Sequence, residues 1–148
     1  MEKLKVRNPL VAGQFYPDSE QGIREQISAF VNQETLKSNA IACMLPHAGY
    51  IYSGRVAAVT ASRINIKDTV VLLGPNHTGL GKEFSIMTEG AWATPLGELN
   101  INSTLARQIL KHSQLLEDDS LAHASEHSLE VELPILQYFK NDFKITSL

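Results

Sequence analysis

The sequence predicts an α/β fold built on a mostly parallel sheet flanked by helices. Two apolar runs of strand length, AIACML at 40–45 and DTVVLLG at 68–74, bracket a helical stretch, SGRVAAVTASRI at 53–64. A strand–helix–strand unit of this kind implies a right-handed parallel crossover. Both runs are continuously apolar, as strands are when helices cover both faces of their sheet. The chain then ends in FKITSL, which reads as a third parallel strand cut off as it begins. The fold is therefore expected to be incomplete at its C-terminus, with residues 1–148 forming a single domain's N-terminal portion.

The remaining elements follow from spacing and caps. Residues 18–32 predict a first amphipathic helix, with Asp18 or Ser19 as cap and Ile23, Ile27, Phe30 and Val31 on one face. Ser53 is the expected cap of the second helix. The segment 83–102, EFSIMTEGAWATPLGELNIN, holds short β-like pieces broken by Gly and Pro. Asn102 or Ser103 caps a helix through about His112. A last helix is expected from Ser125 to Phe139, kinked or restarted at Pro134.

Composition excludes several classes. With 43% hydrophobic and 20% charged residues the chain can build a core, and its net charge of −3 with no basic stripe argues against nucleic acid. No apolar run approaches the roughly 20 residues of a membrane helix. The N-terminus lacks a signal-peptide apolar region, and the single Cys43 allows no intrachain disulfide. A cytoplasmic protein without membrane attachment is the expectation, with Cys43 as a small core residue.

Chemistry concentrates at histidines. His47 sits in PHAGYIYSG after the first apolar run, and His77 in GPNHTG after the second. In an open α/β sheet, ligands sit outside the carboxyl ends of the strands. Two imidazoles there begin a metal site, and with a carboxylate they make the facial triad of non-heme iron. Imidazole alone does not choose among iron, copper and zinc. If both bind one metal at about 2.0–2.1 Å, their ring nitrogens must lie within roughly 8 Å.

A third feature is HASEHSLEVELP at 123–134. His123-Ala-Ser-Glu126-His127 matches the H-x-x-E-H of zinc peptidases, a remote alternative because Ser125 as cap would leave His123 outside the helix. The plainer reading makes Glu126 and Glu130 first-turn acids that complement the helix dipole, with His127 pointing into the crevice. GPNHTGLGKE breaks the phosphate-loop spacing, and no serine sits in a G-x-S-x-G elbow.

Taken together and in order, VAGQFYP, PHAGYIYSG, GPNHTG and EHSLEVELP resemble the Memo family, whose bacterial and archaeal members are called AmmeMemoRadiSam system protein B. The resemblance spans nearly the whole chain. It implies a likeness to the class III extradiol, LigB-like, non-heme iron dioxygenases, with a metal crevice at the strand ends. Carried over, His47 and His77 would be metal ligands and His127 a catalytic histidine that moves protons near substrate. Tyr52, Phe15 and Glu126 would line the pocket. The implied cofactor is a divalent metal, iron first, with copper or zinc as alternatives. The family's third ligand and another pocket histidine would lie in a C-terminal half beyond these residues. Two other functions compete with the oxidoreductase. One is a module binding an acidic or phosphorylated peptide. The other is an accessory subunit of a radical-SAM system, with radical-SAM and AMMECR-type partners.

Overall fold

A computed structural model describes residues 5–31 and 35–148. The order is β1 (Val6–Arg7), α1 (Glu20–Phe30), a π-helical turn (Tyr50–Gly54), α2 (Arg55–Ser62), β2 (Thr69–Leu72), β3 (Ser85–Ile86), β4 (Ala91–Thr94), β5 (Gly97–Asn100), α3 (Ser103–His112), β6 (Glu117–Asp118), α4 (Leu121–Ala124), α5 (Ser128–Phe139) and β7 (Lys144–Ser147). The fold is mixed α/β, as the alternation of apolar runs and amphipathic stretches predicted.

The helices form where caps and periodicity placed them. Ser19 accepts from the backbone N–H of Gly22 to start α1, whose Ile23 and Ile27 are fully buried. The last residue of the expected 18–32 span, 32, lies outside those described. Asn102 caps α3 by accepting from Leu105 N–H. α2 starts later than expected because Ser53 turns its hydroxyl to the Pro46 and Ala48 carbonyls instead of capping. α5 also starts late, at Ser128, and runs through Pro134. It is apolar nearly all round. Leu129, Val131, Leu133, Ile135 and Leu136 are all buried, which makes α5 the central helix rather than a surface one.

The sheet departs from expectation. β2 pairs with β7 in parallel from Thr69–Lys144 to Leu72–Ser147. β4 pairs in parallel with β1 and antiparallel with β5, and β3 pairs in parallel with β6. Among the described residues the result is three small sheets, mixed in sense as a set, in place of one mostly parallel sheet. The antiparallel pair closes through Thr94 and Gly97, where Gly97 adopts φ of +119°, a conformation open to glycine. β7 ties the pieces together, because Met87 and Asn102 donate backbone N–H groups to Ser147 and Ile145.

The first expected strand is the main correction. Residues 40–45 are irregular, and Ile41, Cys43 and Met44 are exposed. Apolar content makes a strand only where a neighbour accepts its backbone. Here the local bonds are made by Ser38, with Arg63 and Asn65, and β2 spends its pairing on β7. Cys43 is consequently not a core residue. No described helix is long and apolar enough to cross a membrane.

Among the buried acids of the described residues, Glu132 lacks a hydrogen-bond partner. Both carboxylate oxygens of Glu132 on α5 are sealed from solvent without a hydrogen bond, and burial pushes its pKa up to about 8. The folded state therefore holds a proton that the unfolded chain releases above about 4.5. Stability should fall as pH rises from about 5 to about 8. Glu132→Gln is expected to remove that slope, gaining on the order of a few kcal/mol over the wild type at pH 8 relative to pH 5. Urea titrations at the two pH values check this; an unchanged slope refutes it.

Candidate metal centre

The site is assembled by three loops held against the start of α5. The first is VAGQFYP. Its turn closes as Gln14 and Phe15 donate N–H groups to Val11 O, at 3.1 and 2.9 Å. The turn is anchored from below by Glu130, whose side chain is 0% exposed. That carboxylate accepts from Arg7 Nη1 at 2.8 Å, from Leu10 and Val11 N–H at 2.9 Å and from the Tyr16 hydroxyl at 2.7 Å. Glu130 is thus not a solvated first-turn acid. Arg7 also lies 4.2 Å over the Trp92 ring and donates to the carbonyls of His123 and Glu126.

The second loop carries His47. Phe15 O accepts Tyr50 N–H at 2.7 Å, so the first loop positions the second. Tyr50 is buried, donates its hydroxyl to Val131 O at 3.0 Å and packs 5.6 Å from Tyr16. Burial leads the causes that raise the pKa of Tyr50 and of Tyr16, so both remain protonated hydrogen-bond donors. The π-helical turn follows at once, and such turns recur at functional sites.

The third loop, GPNHTG, leaves β2. Gly74 is required by close approach, since a Cβ there would meet Leu129 Cδ2 at 2.6 Å. The loop therefore lies directly on α5, where the Ser128 hydroxyl donates to Pro75 O at 2.9 Å. Asn76 Oδ1 accepts from Thr78 and Gly79 N–H at 3.0 Å, an Asx turn that shapes the chain around His77.

These loops bring His47, His77 and His127 together. Ring centroids lie 5.2 Å apart for His47–His77, 4.8 Å for His77–His127 and 6.2 Å for His47–His127. Two imidazoles sharing one metal have centroids at most about 6.5 Å apart, so all three pairs fit. Phe15 packs edge-on against His127 at 5.0 Å. Burial first, then His77 and His127, hold the His47 imidazole below its ordinary range, which keeps its lone pair available.

Glu126 stands behind the rings. His77, Glu126 and His127 offer ligand atoms within 4.8 Å of one another, a cluster able to hold a metal ion. Glu126 Oε1 lies 2.9 Å from His77 Nδ1 and accepts from His127 and Ser128 N–H at 2.7 and 2.8 Å. Its Oε2 accepts the backbone N–H of His77. Burial alone would raise this carboxyl, but those donors outweigh it and hold the pKa at about 2.

The other expected residues fall as follows. Tyr52, in the π-helical turn after His47, is 82% exposed. His123 does not share a helix face with His127, because α4 ends at Ala124 and α5 begins at Ser128. Its ring is buried 5.9 Å from Trp92 and 3.4 Å from Ser85 Oγ. The zinc-peptidase geometry is therefore absent from this segment. A cavity of about 360 Å³ shares Glu126 with the cluster but is lined by Leu73, Phe84, His123 and Leu129 rather than by the three histidines.

A mixed α/β fold with three imidazoles and a buried carboxylate converging from separate loops defines a protein with a candidate metal centre. The sequence of the Memo-like protein family matches residues 7–148. A MEMO1 family protein of Aquifex aeolicus is 47% identical, covering 96% of this chain and 54% of the relative. Those of Thermotoga neapolitana and Methanopyrus kandleri are 43% and 45% identical, covering 95% and 89% of this chain and 56% and 51% of theirs. The chain belongs to the Memo-like family. It spans about half the length of the curated relatives it matches.

Glu130→Ala should cost about 3–5 kcal/mol, because it leaves Arg7 buried and unpaired. Chemical denaturation followed by circular dichroism measures this. A loss below about 1 kcal/mol would show that the Glu130 hub does not hold the three loops.

Proposed function

We propose that the chain binds a divalent metal, iron first, through His47 and His77, and that the whole protein performs oxygen chemistry of the extradiol dioxygenase type. The observation behind this reading is the convergence of three imidazoles from separate segments. Imidazoles suit iron, copper and zinc, and the ring separations accommodate one ion. Bound iron would supply a Lewis-acidic centre for a catecholic oxygen donor and for dioxygen.

The chain's own residues would do the rest. His127, stacked on His77 and braced by Phe15, would take or return a proton at a substrate hydroxyl. Phe15 would exclude water from one side of the rings, and the exposed Tyr52, five residues after His47, would meet the substrate's outer edge. Glu126 cannot readily complete a facial triad, since four donors already occupy an acceptor with about four sites. A third protein ligand would therefore come from outside these residues.

The expected outcome is specific. Residues 1–148 should bind iron(II) or copper(II) weakly in calorimetry, more weakly still by about 10-fold or more in His47→Ala and His77→Ala, and show no oxygen uptake with catechol. A chain of the relatives' full length should hold metal stoichiometrically and take up oxygen, with uptake lost in His127→Ala. Wild-type binding by both alanine variants would overturn the metal reading. Metal binding without uptake by the long chain would leave a binding module, to be titrated with phosphopeptides.

A further inference from the structure

We propose that Glu126 is the positioning residue of the histidine cluster: its carboxylate keeps the proton of His77 on Nδ1 and leaves the Nε2 lone pair free for a metal shared with His47. The inference rests on the metal-centre reading above and assigns Glu126 a role distinct from ligand or substrate contact.

The geometry supports it in three steps. An ionised carboxylate only accepts hydrogen bonds, so the 2.9 Å contact between Glu126 Oε1 and His77 Nδ1 requires Nδ1 to be the donor in the neutral ring. The other nitrogen must then be the acceptor. Next, the same carboxylate accepts the backbone N–H of His77, so it holds the main chain and the ring of one residue together. This fixes the ring's position as well as its tautomer. Finally, Oε1 accepts from His127 and Ser128 N–H, which seats the carboxylate on the start of α5 and sets the spacing of His77 to His127. A carboxylate behind a ligating imidazole is the arrangement that orients metal-bound histidines and raises their basicity. The exposures agree, with the His77 side chain 44% exposed and that of Glu126 only 6%.

The consequence is that the imidazoles facing a metal are those of His47 and His77, with His127 stacked beside them and Glu126 behind. His77 reaches the metal through Nε2 alone.

The test reads the tautomer directly, without metal. In protein labelled with ¹⁵N histidine, long-range ¹H–¹⁵N correlation at neutral pH should show His77 protonated at Nδ1 and bare at Nε2, with assignment by loss of the signals in His77→Ala. In Glu126→Gln the Nδ1–H preference should weaken, and calorimetry should show about 10–100-fold weaker metal binding. A wild-type His77 protonated at Nε2 overturns the proposal, whether or not Glu126→Gln folds. So does an unchanged tautomer and affinity in a folded Glu126→Gln. If the wild-type tautomer is as expected but no metal binds, the metal reading fails and the orientation of His77 by Glu126 stands.

Discussion

The site depends on one buried carboxylate. Glu130 gathers Arg7, two backbone N–H groups and the Tyr16 hydroxyl around a side chain with no solvent contact. A buried charge is tolerable only when paired and fully hydrogen-bonded, so the end of β1 at Arg7 and the turn from Leu10 to Tyr16 are bound to the first turn of α5. From there the order propagates. Phe15 is placed against His127, and its carbonyl holds Tyr50, which begins the π-helical turn after His47. Arg7 reaches onward to the carbonyls of His123 and Glu126. A single ion pair thereby connects the N-terminal strand, the aromatic wall and the segment carrying His127.

Much of the site was legible in the sequence, because metal-ligating residue types are rare and their surroundings are distinctive. His47 and His77 each follow an apolar run with proline before the imidazole or two residues ahead of it, and His127 lies at the start of a strongly apolar stretch. The roles of the acids were not legible. Glu126 and Glu130 both sit near a helix start, where solvated acids are common. Only tertiary placement shows that one meets Arg7 and the other meets His77, residues 123 and 49 positions away. The H-x-x-E-H match was a remote alternative for a local reason that the structure shares: the spacing rule needs one continuous helix, and this chain breaks between Ala124 and Ser128, leaving His123 off the face of His127.

The fold was readable to the degree that information is local. Caps and helical periodicity act within a few residues, and α1, α3 and the 68–74 strand formed where they pointed. Strand pairing is non-local. AIACML has the composition of a buried strand, yet nothing in those six residues names a neighbour to accept its backbone, and among the described residues none does. The short pieces between 84 and 102 were read as broken β-structure without a partner. Their connection to β7 through Met87 and Asn102 becomes visible only in three dimensions.

The start of α5 shows how environment, rather than residue type, assigns chemistry. Glu126, Glu130 and Glu132 lie within seven positions and have the same side chain. Glu126 meets donors on both oxygens and stays ionised down to about pH 2. Glu130 meets a guanidinium and three neutral donors and serves as a structural hub. Glu132 meets none, and burial pushes it up to about 8. Position explains the difference in part, since Glu126 lies in the break before α5 and Glu130 in its first turn, both against the loops, while Glu132, two residues on from Glu130, points to another side of the helix. The two acids that face the loops have taken complementary tasks: Glu130 fixes where the loops lie, and Glu126 fixes how His77 is turned within them. A metal centre needs both, because an imidazole in the right place presents a lone pair only if its proton is held on the far nitrogen.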